Sequence, residues 1–413
     1  MAGDRGGAIT RRQVLMTGVG GALGGALAGD GLASTLAPGG AAKDVYQALG
    51  VAKIINAAGT ITTLGGSLMP GEVADAWLAA SRHFVDLRKL QDRVGERIAE
   101  LLGVEAALVT SGAAGGIVLG TAAALTHRDP SLIPRLPVSP ASGFEAIRQK
   151  AHRLAYDRQV EACGVRLVDV ETREDVERAV GERTVLMMSY NVLEDDGKIK
   201  RPEWIEIARR HRIPTLLDAA ADTPPLDALW KYSRMGYDMV VFSGGKAMRG
   251  PQDAGLLLGR KDLIDAAKRN TSPNTGTIGR GMKVSKEDMV AMWAAVERWV
   301  KLDHEAETRE WDRRIRVIQE SLKDLPTLRT RRIVPPIANH VPHLLILWDE
   351  KRVPITRREI AEQLTGGDPP IATARVHGTG DEGFLISVFM LEPGEEKVVA
   401  ARLREIFMGS RDR

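Results

Sequence analysis

Met239-Val240-Val241-Phe242-Ser243-Gly244-Gly245-Lys246 is the stretch on which the reading of this chain turns. Its first four residues form an apolar run of the kind that makes a short, fully buried strand. Ser243 and two glycines carry the chain off the strand end, and Lys246 follows. A lysine that forms a Schiff base must reach its aldehyde at the carboxyl edge of a sheet, through close and uncluttered backbone. Gly244 and Gly245 supply that backbone, and Ser243 can donate to a phosphate. Taken alone, the motif is equally a surface lysine in a glycine turn.

Two stretches upstream change the balance. Leu216-Leu217-Asp218-Ala219-Ala220 ends another apolar run in an acid followed by small residues that leave room for a ring. Pyridoxal 5′-phosphate (PLP) needs such a carboxylate on its pyridinium nitrogen, because the protonated ring is what makes it an electron sink. An Asp in this place is otherwise a helix N-cap. Val109-Thr110-Ser111-Gly112-Ala113-Ala114 precedes an apolar helix, whose first N–H groups and positive dipole end form a natural anion site. Thr110, Ser111, Gly112 and Ala113 are therefore expected to cradle the cofactor phosphate. Small residues at a helix start also serve plain close packing. The order phosphate loop, aspartate, lysine, each at a strand end, is what makes the set specific.

The surrounding sequence has the rhythm of a doubly wound α/β protein. Short apolar runs at 106–109, 165–170, 184–189, 214–217, 239–242 and 255–258 alternate with helical segments at 173–180, 202–211, 228–235 and 262–268. Such alternation implies βαβ units and a mostly parallel sheet. Helices are expected at 72–83 and 87–102. Ser285 with Asp288 three residues on marks the start of a long helix towards Leu322, broken once. Beyond it, strands at 343–348, 371–376 and 384–390 and helices at 356–364 and 395–407 suggest a small α/β domain. The expected division is a leader (1–42), an arm (43–70), a large cofactor domain (71–284), and a linking helix with a small C-terminal domain (285–413).

These motifs resemble fold-type I PLP enzymes, the aminotransferase-like fold. More closely, Ile55-Asn56-Ala57-Ala58-Gly59-Thr60, Ala107–Ala114, His152-Arg153-x-Ala155-Tyr156-Asp157 and Ser243-Gly244-Gly245-Lys246-Ala247-x-Arg249-Gly250-Pro251-Gln252 resemble the selenocysteine synthase (SelA)-like group. Within that group they look nearest to proteins of the D-glucosaminate-6-phosphate ammonia-lyase type. The likeness spans roughly residues 45 to 400. It implies that His152 lies over the cofactor ring and that Asn191 bonds the cofactor's phenolic oxygen. It also implies that Arg249 and Gln252 contact a phosphate or a neighbouring subunit's site, and that Arg375 grips a substrate carboxylate. His377 and the segment to Gly383 are expected near the site's mouth.

The implied activity is an α,β-elimination that deaminates an amino sugar acid or hydroxy-amino acid through a Lys246 Schiff base, with Asp218 on the ring nitrogen. SelA-like transfer or transamination is the alternative chemistry, and an exported binding protein without turnover is the alternative class. The implied assembly is a homodimer or a larger even-numbered oligomer acting on a small amino substrate.

Composition narrows the field. The 413 residues carry a net charge of +3, with no basic stretch interleaved with aromatics, so nucleic acid is not an expected partner. A single cysteine, Cys163, precludes an internal disulfide and a cysteine-built zinc site, and reads as strand core. His340 and His343 flank a proline but gather no further ligands, so no metal is expected. At the other end, Thr10-Arg11-Arg12-Gln13-Val14-Leu15 precedes an uncharged Gly/Ala/Leu run from Met16 to about Ala28, which resembles a twin-arginine export signal. Periplasmic export follows as an expectation, with a cytoplasmic location as its alternative. That run is too short and glycine-rich for stable membrane insertion. Gly18-Val19-Gly20-Gly21-Ala22-Leu23-Gly24 mimics a dinucleotide loop but lacks the preceding strand that the fingerprint requires.

Overall fold

The computed structural model describes residues 44–325, 327–376 and 382–410. The leader, the expected export signal and His377 lie outside the described residues. Residues 44–53 form a unit of their own: a short helix, Val45–Ala48, whose N-cap Asp44 accepts from the N–H groups of Tyr46 and Gln47. Everything from Ile54 onward forms a second unit.

In that second unit the strands, in chain order, are β1 (Ile55–Ala57), β2 (Ala106–Ser111), β3 (Glu145–Gln149), β4 (Arg166–Val170), β5 (Thr184–Tyr190), β6 (Thr215–Asp218), β7 (Met239–Ser243), β8 (Ala254–Gly259), β9 (Leu328–Ile333), β10 (His343–Trp348), β11 (Ile371–Thr373) and β12 (Phe384–Ser387). Seven of them make one sheet in the order β2-β8-β7-β6-β5-β3-β4. Only β8 runs against its neighbours, so β2 points the same way as β7 and the rest. A three-stranded antiparallel sheet, β12-β10-β9, and a parallel pair, β1-β11, complete the strands.

Both faces of the large sheet are covered, which is why its strands read as unbroken apolar runs rather than alternating ones. Successive side chains feed two separate cores. Leu216, Met239, Val241 and Leu257 pack on one side, with Ile117, Leu119 and other residues of helix Gly112–Thr126. Leu217, Val240, Phe242, Leu256 and Leu258 pack on the other, with Ile98, Trp204 and Met292. Fully buried chains of this size contribute about 1.5–3 kcal/mol each before entropy is counted.

The expected long helix is two, Lys286–Lys301 and His304–Leu322, each started by a side-chain cap, Ser285 and Asp303 respectively. Cys163 is buried, but it lies in the turn before β4 and not on a strand; its thiol, pushed up to about 12 by burial, donates to the Val118 carbonyl at 3.4 Å. The strands expected at 371–376 and 384–390 end earlier, at Thr373 and Ser387.

Candidate active site

The carboxyl ends of β2, β3, β5, β6 and β7 share one edge of the sheet. The strand register lines them up: Thr110 pairs with Gly255, Gly255 with Ser243, Val241 with Asp218, and Asp218 with Tyr190. Lys246, Asp218 and Ser111 are thereby delivered to the same edge, where ligands bind in open α/β sheets.

Lys246 follows β7 in a turn held shut by backbone. Gly250 donates to the Gly244 carbonyl at 2.9 Å, and the Ser67 hydroxyl donates to the Gly245 carbonyl at 2.9 Å. A Cβ on Gly245 would sit 2.4 Å from the Cα of Gln252, so no other residue fits there. Burial pulls the Lys246 amine below the ordinary lysine range, opposed by the carboxylates of Asp218 and Asp222. Asp218, 9% exposed, accepts from the Ala220 N–H through Oδ1 at 2.9 Å. Ala220 is the only hydrogen-bond partner of the carboxylate among the described residues, which leaves Oδ2 spare. Burial raises its pKa, and the Ala220 N–H and the Lys246 charge oppose the rise.

Ser111 and Gly112 open helix Gly112–Thr126, whose N-cap Ser111 makes no side-chain capping bond among the described residues. Gly112 has φ +67°, a left-handed conformation that a glycine adopts freely, and it frees the first N–H groups of a fifteen-residue helix for an anion. Ser111 and Ser243 are half-buried beside it. Thr110 differs from expectation. It is fully buried and its hydroxyl donates to the Gly112 carbonyl at 2.8 Å, so it shapes the loop without facing an anion.

His152, 1% exposed, packs against Gly197, where a Cβ would stand 2.7 Å from Nε2. Neither ring nitrogen has a hydrogen-bond partner among the described residues, and burial holds its pKa at about 4, so the ring is neutral at ordinary pH. Asn191 sits beyond β5 in a buried cluster that the sequence did not disclose. Its Nδ2 donates to Asp222 at 2.6 Å and to the Tyr232 hydroxyl at 2.9 Å, and its Oδ1 accepts from Arg201 Nε at 2.7 Å. Both amide donors are thus engaged within the protein, and the expected donation to a phenolic oxygen is not what this arrangement offers. Asp222 itself is 4% exposed, with a pKa raised to about 7 by burial and then by Asp218, against hydrogen bonds from Tyr232 and Asn191. Its signal was legible only in hindsight: it is the second acid of Asp218-Ala219-Ala220-Ala221-Asp222.

The remaining expected contacts lie elsewhere. Arg249, at φ +56°, donates to the Phe389 carbonyl at 3.3 Å, which ties the lysine turn to the C-terminal segment. Gln252 donates to the Thr62 carbonyl at 3.0 Å and so holds the segment before Ser67 against the same turn. Arg375 is exposed and lines a separate cavity of about 230 Å³ with Arg357 and Arg358. His340 and His343 each face a backbone carbonyl, of Pro335 and Asn339, and no group of three metal-binding side chains occurs among the described residues.

PLP fits this edge on the molecule's own terms. A desolvated amine, a buried carboxylate with a spare oxygen and a helix N-terminus without a side-chain cap are what the aldehyde, ring nitrogen and phosphate require.

Comparison with known proteins agrees. D-glucosaminate-6-phosphate ammonia lyase of Salmonella typhimurium (strain 14028s / SGSC 2262) is 28% identical over 375 residues, covering 88% of this chain and 98% of the relative. The 5′-C-glycyluridine monooxygenase-decarboxylase of Streptomyces sp is 29% identical over 378 residues, covering 88% and 92%. Among solved structures, a D-glucosaminate-6-phosphate ammonia-lyase superposes with a TM-score of 0.75 at 27% identity, covering 89% of this chain and 99% of the other. A structure of SPT with PLP shares the fold at a TM-score of 0.53 and 14% identity, covering 86% and 88%. The fold is that of fold-type I PLP enzymes, and the cofactor is PLP. Residues 54–308, more than half of the chain, match the family described as SelA: L-seryl-tRNA selenium transferase, and to that family the chain belongs.

Proposed function

We propose that the protein is a PLP-dependent lyase that deaminates a 2-amino-3-hydroxy acid, either an amino sugar acid or a smaller hydroxy-amino acid. The observation that carries this reading is the pairing of Lys246 and Asp218 at adjacent strand ends, with the amine desolvated and the carboxylate's second oxygen spare. The lyase relatives add support. When bound, PLP supplies an aldehyde for the substrate amine and an electron sink that acidifies the α C–H.

The protein's own groups then have defined tasks. Asp218 holds the proton on the ring nitrogen. The N-terminus of helix Gly112–Thr126 neutralises the phosphate and fixes the ring's position. Lys246, its pKa lowered by burial, presents an amine able to take the α-proton at Nζ and to return it to the departing β-hydroxyl, which leaves as water. Water then releases ammonia and leaves a 2-keto-3-deoxy acid, so that the net change is loss of ammonia alone.

The test is an assay for ammonia and keto acid on the PLP-loaded protein with D-glucosaminate, its 6-phosphate and L-serine. Release of both products in equal amounts is expected, and Lys246→Ala should abolish it. Accumulation of pyridoxamine phosphate without ammonia would instead mean transamination, and oxygen uptake would mean chemistry of the monooxygenase-decarboxylase type. We further propose a homodimer or larger even-numbered assembly, and export through the twin-arginine signal around Arg11-Arg12. Fusion of residues 1–42 to a reporter, with and without Arg11→Lys/Arg12→Lys, tests the export.

A further inference from the structure

The segment after β5, the loop after β6 and residues 336–340 enclose a cavity of about 640 Å³ at the same sheet edge. Nothing assigned to the cofactor uses it. Arg201, the first residue of helix Arg201–His211, stands in its wall, its side chain 20% exposed. The guanidinium is held on two sides: Nε donates to Asn191 Oδ1 at 2.7 Å, and Cζ lies over the Tyr232 ring, 5.8 Å from its centre. Glu194 lies 3.7 Å from the same Nε and takes the Arg201 backbone N–H at 3.0 Å. Neither Nη nitrogen has a partner among the described residues.

A guanidinium anchored through Nε and resting on an aromatic ring presents its two outer N–H groups as a fork, the geometry that pairs with a carboxylate. Other cations at the cavity are less suited. Lys200 spends its amine on three backbone carbonyls, of Glu194, Asp195 and Gly197, and Lys231 is exposed at the rim. Two hydrogen bonds, through Asn191, connect Arg201 to Asp222, which lies four residues beyond Asp218 at the end of β6 and whose charge acts on Lys246. The cavity is therefore beside the reacting edge.

We propose that Arg201 grips the α-carboxylate of the amino substrate in this cavity, the task that the family resemblance implied for Arg375. The inference deepens the lyase reading and rests on its amino-acid substrate. Asp222, with its pKa lifted to about 7 and Asn191 donating to it, opposes an incoming carboxylate less than an ordinary aspartate would.

The test uses D-gluconate, which has the carboxylate and no amine, titrated calorimetrically into the PLP-loaded protein. Arg201→Gln should weaken binding by about 10- to 100-fold, the usual effect of losing a charge-assisted pair, with Arg201→Lys in between. The cofactor's visible band should stay unchanged in both variants, which separates loss of the clamp from loss of the site. If Arg201→Gln loses that band, Arg201→Lys decides: it must keep the band and still bind D-gluconate about tenfold more weakly. D-gluconate affinity within about twofold of wild type in Arg201→Gln, no binding by the wild type, or a loss confined to Arg375→Gln would overturn the proposal. Arg201-dependent binding without ammonia release from any substrate would sink the lyase reading and leave the clamp standing.

Discussion

At the scale of single residues, Lys246 and Asp218 were legible because they follow a phosphate-type loop in order, each at the end of an apolar strand, although either alone has an ordinary reading. Asp222, Arg201 and Tyr232 were not. A second acid in an alanine-rich loop, an arginine before Pro202 and a tyrosine within a helix each have ordinary surface readings, and only the fold brings them onto Asn191. Asp222→Asn gives a sharp test of this cluster. Its carboxylate, charged above about pH 7, favours the protonated form of the Lys246 nitrogen. Removing the charge should lower the pH at which that nitrogen loses its proton, by roughly one unit. A spectrophotometric pH titration of the bound cofactor reads it, and an unmoved midpoint would place Asp222 too far away to matter.

The central strands β5 to β8 were disclosed by the sequence because they are buried on both faces, where packing on either side demands an unbroken apolar run. The ones it concealed carry polar residues for reasons of tertiary structure. In β3, Arg148 and Gln149 are 7% and 2% exposed, yet Arg148 is paired to Asp157 and Asp169 and Gln149 is bonded to the backbone of Ile199. β9 reads Leu-Arg-Thr-Arg-Arg-Ile because it is the edge of its sheet, where charge is tolerated. β1 is three residues long and depends on β11, far away in sequence. At this scale Gly255 is the informative position. A Cβ there would stand 2.5 Å from the carbonyl carbon of Gly112, forcing β8 away from the phosphate loop. Gly255→Ala should cost about 1–3 kcal/mol by thermal or urea unfolding and weaken PLP binding in a cofactor titration. A variant that binds PLP normally would mean that the loop is not the cradle. Thr356→Ala, which removes the capping box with Glu359 on helix Arg357–Thr365, should cost about 1 kcal/mol and leave PLP affinity alone.

For the whole molecule, the fold class, the order of the cofactor motifs and the likeness to the SelA group were all readable in the sequence, since they depend on local sequence at strand ends. Substrate recognition was not, because the 640 Å³ cavity is assembled from three segments spread between residues 191 and 340. No described helix is long and apolar enough to cross a membrane. Trp77, Leu78, Phe84 and Val85 are exposed on adjoining stretches, with Phe84 fully so. Large apolar side chains so placed are costly to leave in water, and they fit the proposed association of two copies. Light scattering on the eluting PLP-loaded protein should give a dimer or an even multiple, and Phe84→Asp should shift it towards the monomer. A monomer in the wild type would contradict that assembly.

The central claim is that Lys246 carries the cofactor. Its most direct test is borohydride reduction of the purified protein after incubation with PLP, followed by absorption spectroscopy and peptide mass mapping. A visible band that reduction bleaches is expected, with one phosphopyridoxyl group fixed on the peptide containing Lys246. A colourless, unmodified protein, or a label on another lysine, would contradict it.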